Sequence, residues 1–366
     1  MKVTIITCFE SNEERAKMVY EVCRNNGFEV EAYTTDFSHM KKAVRDSIPD
    51  IFIPIKTKEY KKNLSISRMW SHYEFAKDVF SKLNNDKPDL IWLIVPANSL
   101  IKQARIYKEN NPNVRIVVDV IDMWPESLPV NMNKNDFPFS VWKNIRKNNI
   151  SCADYLITEC DYYQEELKKE YDGKTETIYW ARKGNANKNK DVSISDKLVL
   201  SYIGSINNII DIDKIMDIIS EIELPVELHV IGEGENTELF NNTLKEVCSV
   251  IYHGAIRDEE EKRKIFEKCH AGINIYKEGL YIGFTTKCID YFKNGLPIIN
   301  NIKSDTWKMV ENYDAGINVD KSNMIDANIL IKQRNNNEKI IELYNDNFSE
   351  KAFEEKCFKV IKEAIK

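Results

Sequence analysis

No two of the eight cysteines in this 366-residue chain are spaced as CxxC. Cys8, Cys23, Cys152, Cys160, Cys248, Cys269, Cys288 and Cys357 are scattered, the five histidines are dispersed, and no HExxH occurs. Common zinc frameworks are thereby excluded, no metal site is expected, and the thiols are expected to be reduced and mostly buried. Positive charge is not in excess either: 52 Lys and Arg stand against 58 Asp and Glu, a net charge of −6. A global nucleic-acid-binding footprint is therefore absent, and no nucleic-acid partner is expected. Long apolar runs are missing as well. The most apolar stretch, Leu90–Val95, is far too short to cross a bilayer. The opening MKVTIITCFE has none of the apolar core and small-residue cleavage site of a secretory signal. A cytoplasmic protein is the expectation. No 20–50-residue repeat or low-complexity domain is visible.

What is present is alternation. The length suits two domains of about 150–180 residues. In the first half, short β runs at Val3–Thr7, Phe28–Tyr33, Leu90–Val95, Arg115–Ile121, Tyr155–Thr158 and Glu176–Trp180 surround two helical patterns. One spans Asn12–Asn26, with Ala16, Val19, Tyr20 and Cys23 on a single face and Gly27 as its stop. The other spans Ile66–Phe80. A polar segment without periodicity, KGNANKNK at Lys183–Lys190, reads as a linker.

The pattern then restarts. Strands are expected at Leu198–Ile203, Val226–Ile231, Val250–His253, Ala271–Tyr276 and Leu296–Ile299, with helices at Asp213–Ser220, Asp258–Cys269, Thr286–Asn294 and Phe348–Lys366. Such alternation implies parallel sheets covered on both faces. The expected architecture is α/β: two doubly wound, Rossmann-like domains facing a cleft. Residues 1–182 form the first domain, 183–195 the linker and 196–347 the second domain, with helix 348–366 a candidate to pack back on the first. Ligands of such sheets bind beyond the carboxyl ends of the strands.

The strongest local signal is GLYIGFTTKCIDYFKNGLPII, Gly279–Ile299. Gly283 permits a tight loop, Thr285 or Thr286 can cap the following helix, and the helix start suits a phosphate. Lys287 adds a full charge in the first turn, and Asp290, three residues on, shares its face and suits a ribose diol. Gly232-Glu233-Gly234 lacks the third glycine of a dinucleotide fingerprint and reads as a strand-end turn.

This segment resembles the donor-binding stretch of GT-B glycosyltransferases of the GT4-like group, of bacterial surface-polysaccharide type, where a glycine loop precedes K-x-x-E-Y-x-x-x-G-x-P-V-I. Here it reads Lys287-Cys-Ile-Asp290-Tyr291-Phe-Lys-Asn-Gly295-Leu-Pro297-Ile-Ile299. The resemblance extends over Tyr202–Asp211, Val230–Asn236, His253–Tyr276 and Gly316, nearly the whole second half in order. It implies that Lys287 lies near a diphosphate, that Asp290 holds a ribose, and that Gly204, Ser205 and Asn207 belong to the donor loop. The chain departs from the family at the earlier glutamate position, which is Ile282, with Glu278 out of register. The Arg…Lys pair after the first strand is replaced by Ile206, Asn207 and Asn208, which leaves Arg182 as a candidate diphosphate cation.

In the first half, VVDVIDMWPESL ends a strand near Ile121 and places Asp122 and Glu126 beyond it. Similar D-x-W-P-E-S segments occur on the acceptor side of bacterial surface-polysaccharide glycosyltransferases, which makes these two carboxylates candidates to orient or deprotonate an acceptor hydroxyl. Arg15, in a loop without the family's Gly-Gly, and His39 are further acceptor-side candidates. A basic and aromatic region, Lys41, Lys42, Arg45, Tyr60, Lys61, Lys62, Arg68, Trp70, His72 and Tyr73, suits an anionic membrane surface.

The resemblance implies a retaining hexosyltransferase that takes a nucleotide-sugar, UDP-sugar above all, without cofactor or metal. Asp211-Ile-Asp213, the one Asp-x-Asp, begins a helix. The expected acceptor is a glycan or a lipid-linked sugar in surface polysaccharide or glycoconjugate synthesis, with the protein cytoplasmic or peripheral on the inner face of the membrane. Two alternatives stand beside this: a nucleotide-sugar epimerase on the same fold, and a non-catalytic subunit that stabilises a partner glycosyltransferase.

Overall fold

A computed structural model describes residues 1–128, 133–187, 196–320 and 324–366. The chain divides into two units, Met1–Tyr179 with Phe353–Lys366, and Trp180–Ala352. The expected linker falls largely outside the described residues, which resume at Asp196.

The first unit contains β1 (Lys2–Thr7), α1 (Glu13–Asn25), β2 (Glu29–Thr35), β3 (Phe37–Ser38), β4 (Ala43–Val44), β5 (Phe52–Ile55), α2 (Ile66–Asp86), β6 (Leu90–Val95), α3 (Asn98–Asn110), β7 (Arg115–Val120), α4 (Phe139–Lys147), β8 (Tyr155–Thr158), α5 (Asp161–Leu167) and β9 (Thr175–Thr177). Among the described residues its main sheet runs β5-β2-β1-β6-β7-β8-β9. Every pairing is parallel. All six residues of β6 are buried, as both faces of a covered parallel sheet require. The order of the strands reverses between β1 and β6, so the switch point of this sheet lies beyond Thr7 and Val95.

Helix α2 outruns the expected Phe80. Ser65 caps its start by accepting from the Arg68 N–H at 3.2 Å, and Val79, Phe80 and Leu83 prolong its buried face. It ends where Lys87 turns left-handed, at φ 44°. The expected strand Glu176–Trp180 is shorter, three residues at β9.

The second unit contains β10 (Leu198–Ile203), α6 (Ile212–Ser220), β11 (Val226–Ile231), α7 (Thr237–Leu244), β12 (Ser249–Gly254), α8 (Glu259–Phe266), β13 (Ala271–Asn274), α9 (Lys287–Lys293), β14 (Ile298–Asn300), α10 (Asp305–Tyr313), β15 (Gly316–Asn318), α11 (Ala327–Asn335) and α12 (Glu338–Asn347). Its sheet, in the described residues, runs β12-β11-β10-β13-β14-β15, all parallel. Here the switch point lies between β10 and β13.

Helix α13 (Glu350–Ala364) returns most of its length to the first unit. There Lys359 pairs with Glu176 at 2.5 Å and the Tyr155 hydroxyl donates to Glu363 at 3.3 Å.

The Gly232–Gly234 turn packs loop on loop. The Gly204 N–H donates to Ile231 O at 3.0 Å and Ile206 N–H to Glu233 O at 3.1 Å. Gly232 has φ 140°, and a Cβ there would lie 2.0 Å from Gly204 O. Only glycine fits this approach, and the turn is structural.

Candidate functional site

At the switch point of the second unit, Tyr202 ends up beside Tyr276, one from β10 and the other two residues past β13. Between them lies the Lys287 amine, 4.2 Å from the Tyr202 ring centroid and 4.7 Å from that of Tyr276. Lys287 is 7% exposed, and its Nζ has no hydrogen-bond partner. Burial lowers its pKa to about 7. A buried ammonium normally neutralises or finds a counter-charge; cation–π contact with two phenol rings offsets part of the cost. Gly204 lies next to it, and glycine is favoured there by a φ of 120° rather than by space, since a Cβ would stand in ordinary contact 3.6 Å from Lys287 Cε.

Asp290 follows on α9 and is also buried. Its Oδ1 accepts from Arg182 Nε at 2.9 Å. Two residues expected to grip different parts of a donor therefore hold each other. A cavity of about 360 Å³ lies beside Asp290, Lys293 and Asn294, with Glu259 and Arg263 of α8 also among its walls. Lys287 is not among its walls.

The expected capping does not occur. Thr286, the N-cap residue, is exposed and makes no side-chain cap bond. Thr285 is buried and turns inward, donating to Asn274 Oδ1 at 2.9 Å. Asn274 in turn donates to Asn300, and Asn300 to Asn318, each at 2.8 Å. These asparagines close β13, β14 and β15 in register. The amide ladder demands Thr285 as its end, and that outweighs a cap. Gly283 is buried and its carbonyl accepts from the Ser304 hydroxyl. Ser205 is exposed and Asn207 half-buried, its Oδ1 accepting the Ile209 N–H at 3.2 Å.

Two first-unit expectations are corrected. Arg15 is fully buried, not a loop cation awaiting an acceptor. It forks onto Asp119 at 2.8 and 2.9 Å and donates to Ile178 O at 2.9 Å. At this depth the paired carboxylate offsets much of the cost of removing the guanidinium from water. Glu126 is likewise occupied rather than available as a base. Arg146 clamps it at 2.8 and 2.9 Å while also binding Glu170. Burial alone would raise the Glu126 carboxyl; the Arg146 bonds and charge, with Lys143, outweigh it and hold it below its ordinary value.

Asp122 remains beyond β7, bonded by the Ser127 hydroxyl. Burial raises its pKa against the opposing pull of Ser127, Trp124, Met123 and Arg68. His39 shares a 2.6 Å hydrogen bond with Tyr60, and burial followed by the charges of Arg68 and Lys42 lowers it to about 4.

The basic–aromatic region is not one surface. Lys41, Lys61, Lys62 and Trp70 are exposed, while Tyr60, Arg68 and His72 are buried. The buried members gather with Phe9 and Trp124 into a cluster that sequence reading missed: Arg68 lies 4.3 Å from the Trp124 ring centroid, and His72 stacks on Trp124 at 6.3 Å. Their scatter from Phe9 to Trp124 hides it. Tyr202, Tyr276 and the asparagine ladder were also missed, although three strands each ending in Asn was a visible signal.

Among the described residues, no helix is long and apolar enough to cross a membrane. Seven of the eight cysteines are buried and Cys248 is half-buried.

No protein-family model matches the chain, and no curated protein matches it. Solved structures do. Sucrose-phosphate synthase from Thermosynechococcus elongatus aligns with TM-score 0.70 at 13% identity, over 99% of this chain and 98% of that one. The lipopolysaccharide outer core galactosyltransferase WaaB aligns at 0.65 and 15%, over 100% and 99%. Anabaena HepE in complex with UDP aligns at 0.69 and 11%, over 99% and 100%. At these identities the likeness is one of fold: the chain has the two-Rossmann-unit α/β fold of GT-B glycosyltransferases.

Proposed function

We propose that this protein is a glycosyltransferase, moving a hexosyl group from a nucleotide-sugar to a hydroxyl acceptor with retention and without a metal. The observation that carries the reading is the buried, unpartnered Lys287 amine at the switch point of the second sheet. A diphosphate is the anion such a site suits. The structural neighbours that hold UDP, such as HepE, make a UDP-sugar the first donor to try.

In the proposed reaction the bond between sugar C1 and the diphosphate oxygen breaks, its electron pair staying on the diphosphate. The acceptor oxygen bonds to C1 and its proton passes to the departing diphosphate. Negative charge grows on the leaving group, and a fixed ammonium in a low-dielectric surround stabilises it. Lys287 takes that role, Asp290 the ribose hydroxyls and Arg182 the orientation of Asp290. On the acceptor side, Asp122 is the carboxylate kept for the hydroxyl, since Glu126 is engaged by Arg146. Exposed Lys61, Lys62 and Trp70 support peripheral association with an anionic membrane surface on the cytoplasmic side, and a glycan or lipid-linked acceptor of surface polysaccharide synthesis fits that place.

A second reading, a non-catalytic partner subunit, draws support from the mutual occupation of Arg182 and Asp290. One experiment separates the two: a thermal-shift and turnover screen against UDP-, GDP-, dTDP- and CMP-sugars in EDTA, with Lys287→Ala as control. A ligand at about 100 times its Kd adds roughly 2.7 kcal/mol of stability. A shift with one nucleotide, lost in the variant and accompanied by transfer or donor hydrolysis, supports the transferase. A shift without turnover supports the subunit, and no shift sinks the donor site.

A further inference from the structure

Four buried arginines stand out among the described residues, and three of them make at least three hydrogen bonds each. Arg15 has Asp119. Arg146 has Glu126 and Glu170. Arg334 donates to the carbonyls of Cys269, Asn294 and Gly295. The fourth, Arg68 on α2, is 2% exposed and makes a single hydrogen bond, from Nη1 to Asn63 O at 2.8 Å. Its Nε and Nη2 form none. The Tyr60 hydroxyl supplies a weak contact but is already engaged with His39 at 2.6 Å. Asp122 attracts Arg68 electrostatically, but its carboxylate is held by the Ser127 hydroxyl.

Aromatic faces fill the place of a counter-charge. The guanidinium lies over Trp124, with Phe9 at 5.6 Å and Tyr60 at 5.8 Å. One turn further along α2, His72 is 3% exposed and its Nε2 has no partner. Phe9 and Trp124 follow the carboxyl ends of β1 and β7, so the cluster sits at the ligand-binding edge of this sheet. A fork of free guanidinium N–H groups matches the planar oxygens of a carboxylate or phosphate.

We infer that Arg68, supported by His72, is a binding point for an anionic oxygen group, phosphate or carboxylate, carried by the acceptor. That the bearer is the acceptor rests on the proposed transferase function; the anion site itself does not. The cost of burying an unpaired guanidinium is then tolerated because the ligand supplies the missing charge.

The test uses the full chain carrying Lys287→Ala, so that the donor site does not respond. Glucose 6-phosphate, glucuronate and glucose are titrated by thermal shift and NMR, with and without Arg68→Met or Arg68→Lys. One or both anionic sugars should bind saturably and glucose should not; whichever binds tighter names phosphate or carboxylate. Arg68→Met should weaken binding at least about tenfold, the scale of a lost charge-assisted hydrogen bond, with Arg68→Lys intermediate. Because no carboxylate is hydrogen-bonded to it, Arg68→Met should leave the unliganded Tm unchanged or raised, whereas Arg146→Met should lower it. Equal affinity in Arg68→Met, no anion binding at all, or a fall in Tm matching that of Arg146→Met overturns the inference. Arg68-dependent binding in a protein that neither binds UDP nor transfers sugar overturns the transferase reading and leaves the anion site standing.

Discussion

Arg182 and Asp290, 108 positions apart, meet in a 2.9 Å hydrogen-bonded ion pair within the second unit. Asp290 is thus presented in one orientation by a cation next to it in space. If it faces a ribose and Lys287 a diphosphate, their losses should differ by ligand. Asp290→Asn should weaken UDP and uridine alike, by about tenfold. Lys287→Met should weaken UDP and leave uridine unchanged. Calorimetric titration of both ligands against both variants checks this, and a uridine effect in Lys287→Met would refute the assignment.

The Lys287 amine also makes a pH prediction. Its folded pKa, about 7, lies below the ordinary lysine value of 10.5. Between these values the unfolded chain binds a proton that the folded chain does not, so stability should rise with pH across that window. Lys287→Met should flatten the rise and stabilise the unliganded protein at neutral pH. UDP affinity should run the other way, falling above pH 7 as the free amine loses the proton that the diphosphate requires. Chemical denaturation and UDP titration at pH 6.5 to 9.5 read both slopes.

The Arg15–Asp119 fork is a folding element, and Asp119→Ala should cost about 3–5 kcal/mol by stranding a buried guanidinium. UDP affinity per folded molecule should not change. Joint replacement by Met and Leu should recover most of the loss, which urea unfolding of the single and double variants would show.

Glu126→Gln separates the occupied carboxylate from a catalytic one. The Glu126 carboxyl is held below its ordinary value once Arg146 outweighs burial. Its contribution to stability is therefore present above about pH 4.5 and lost as pH falls through the folded value. The variant should lose stability at pH 7, with the gap to wild type closing in acid, and retain kcat. A large fall in kcat at unchanged stability would restore Glu126 as a catalytic residue.

Gly232→Ala should separate the loops after β10 and β11, because its Cβ would fall 2.0 Å from Gly204 O at a φ of 140°. A loss of roughly 1–3 kcal/mol or more is expected, along with weaker UDP binding through displacement of Gly204. Thermal unfolding with and without UDP measures each.

The strands Leu90–Val95, Tyr155–Thr158, Leu198–Ile203 and Val226–Ile231 were legible residue for residue, because a parallel strand covered on both faces reads as a short, mainly apolar run. Helix α9 and its Gly295 stop were legible for a similar local reason. Helices α3, α4, α5, α7 and α10 to α12 and the strands β3, β4, β5 and β15 were not marked in advance. The partners that occupy Arg15 and Glu126 and leave Arg68 without a full set were likewise beyond local reading. Charge satisfaction is a matter of distance in space, and Arg15 finds Asp119 across 104 positions and Ile178 across 163. By itself, then, the sequence determined the alternation, the element ends set by glycine, and the segment from Gly279 to Ile299. Only the tertiary structure decided which charges are paired within the fold and which, like Lys287 and part of Arg68, are buried without a hydrogen-bond partner, since burial raises the cost of every unpaired charge and packing alone selects its partner.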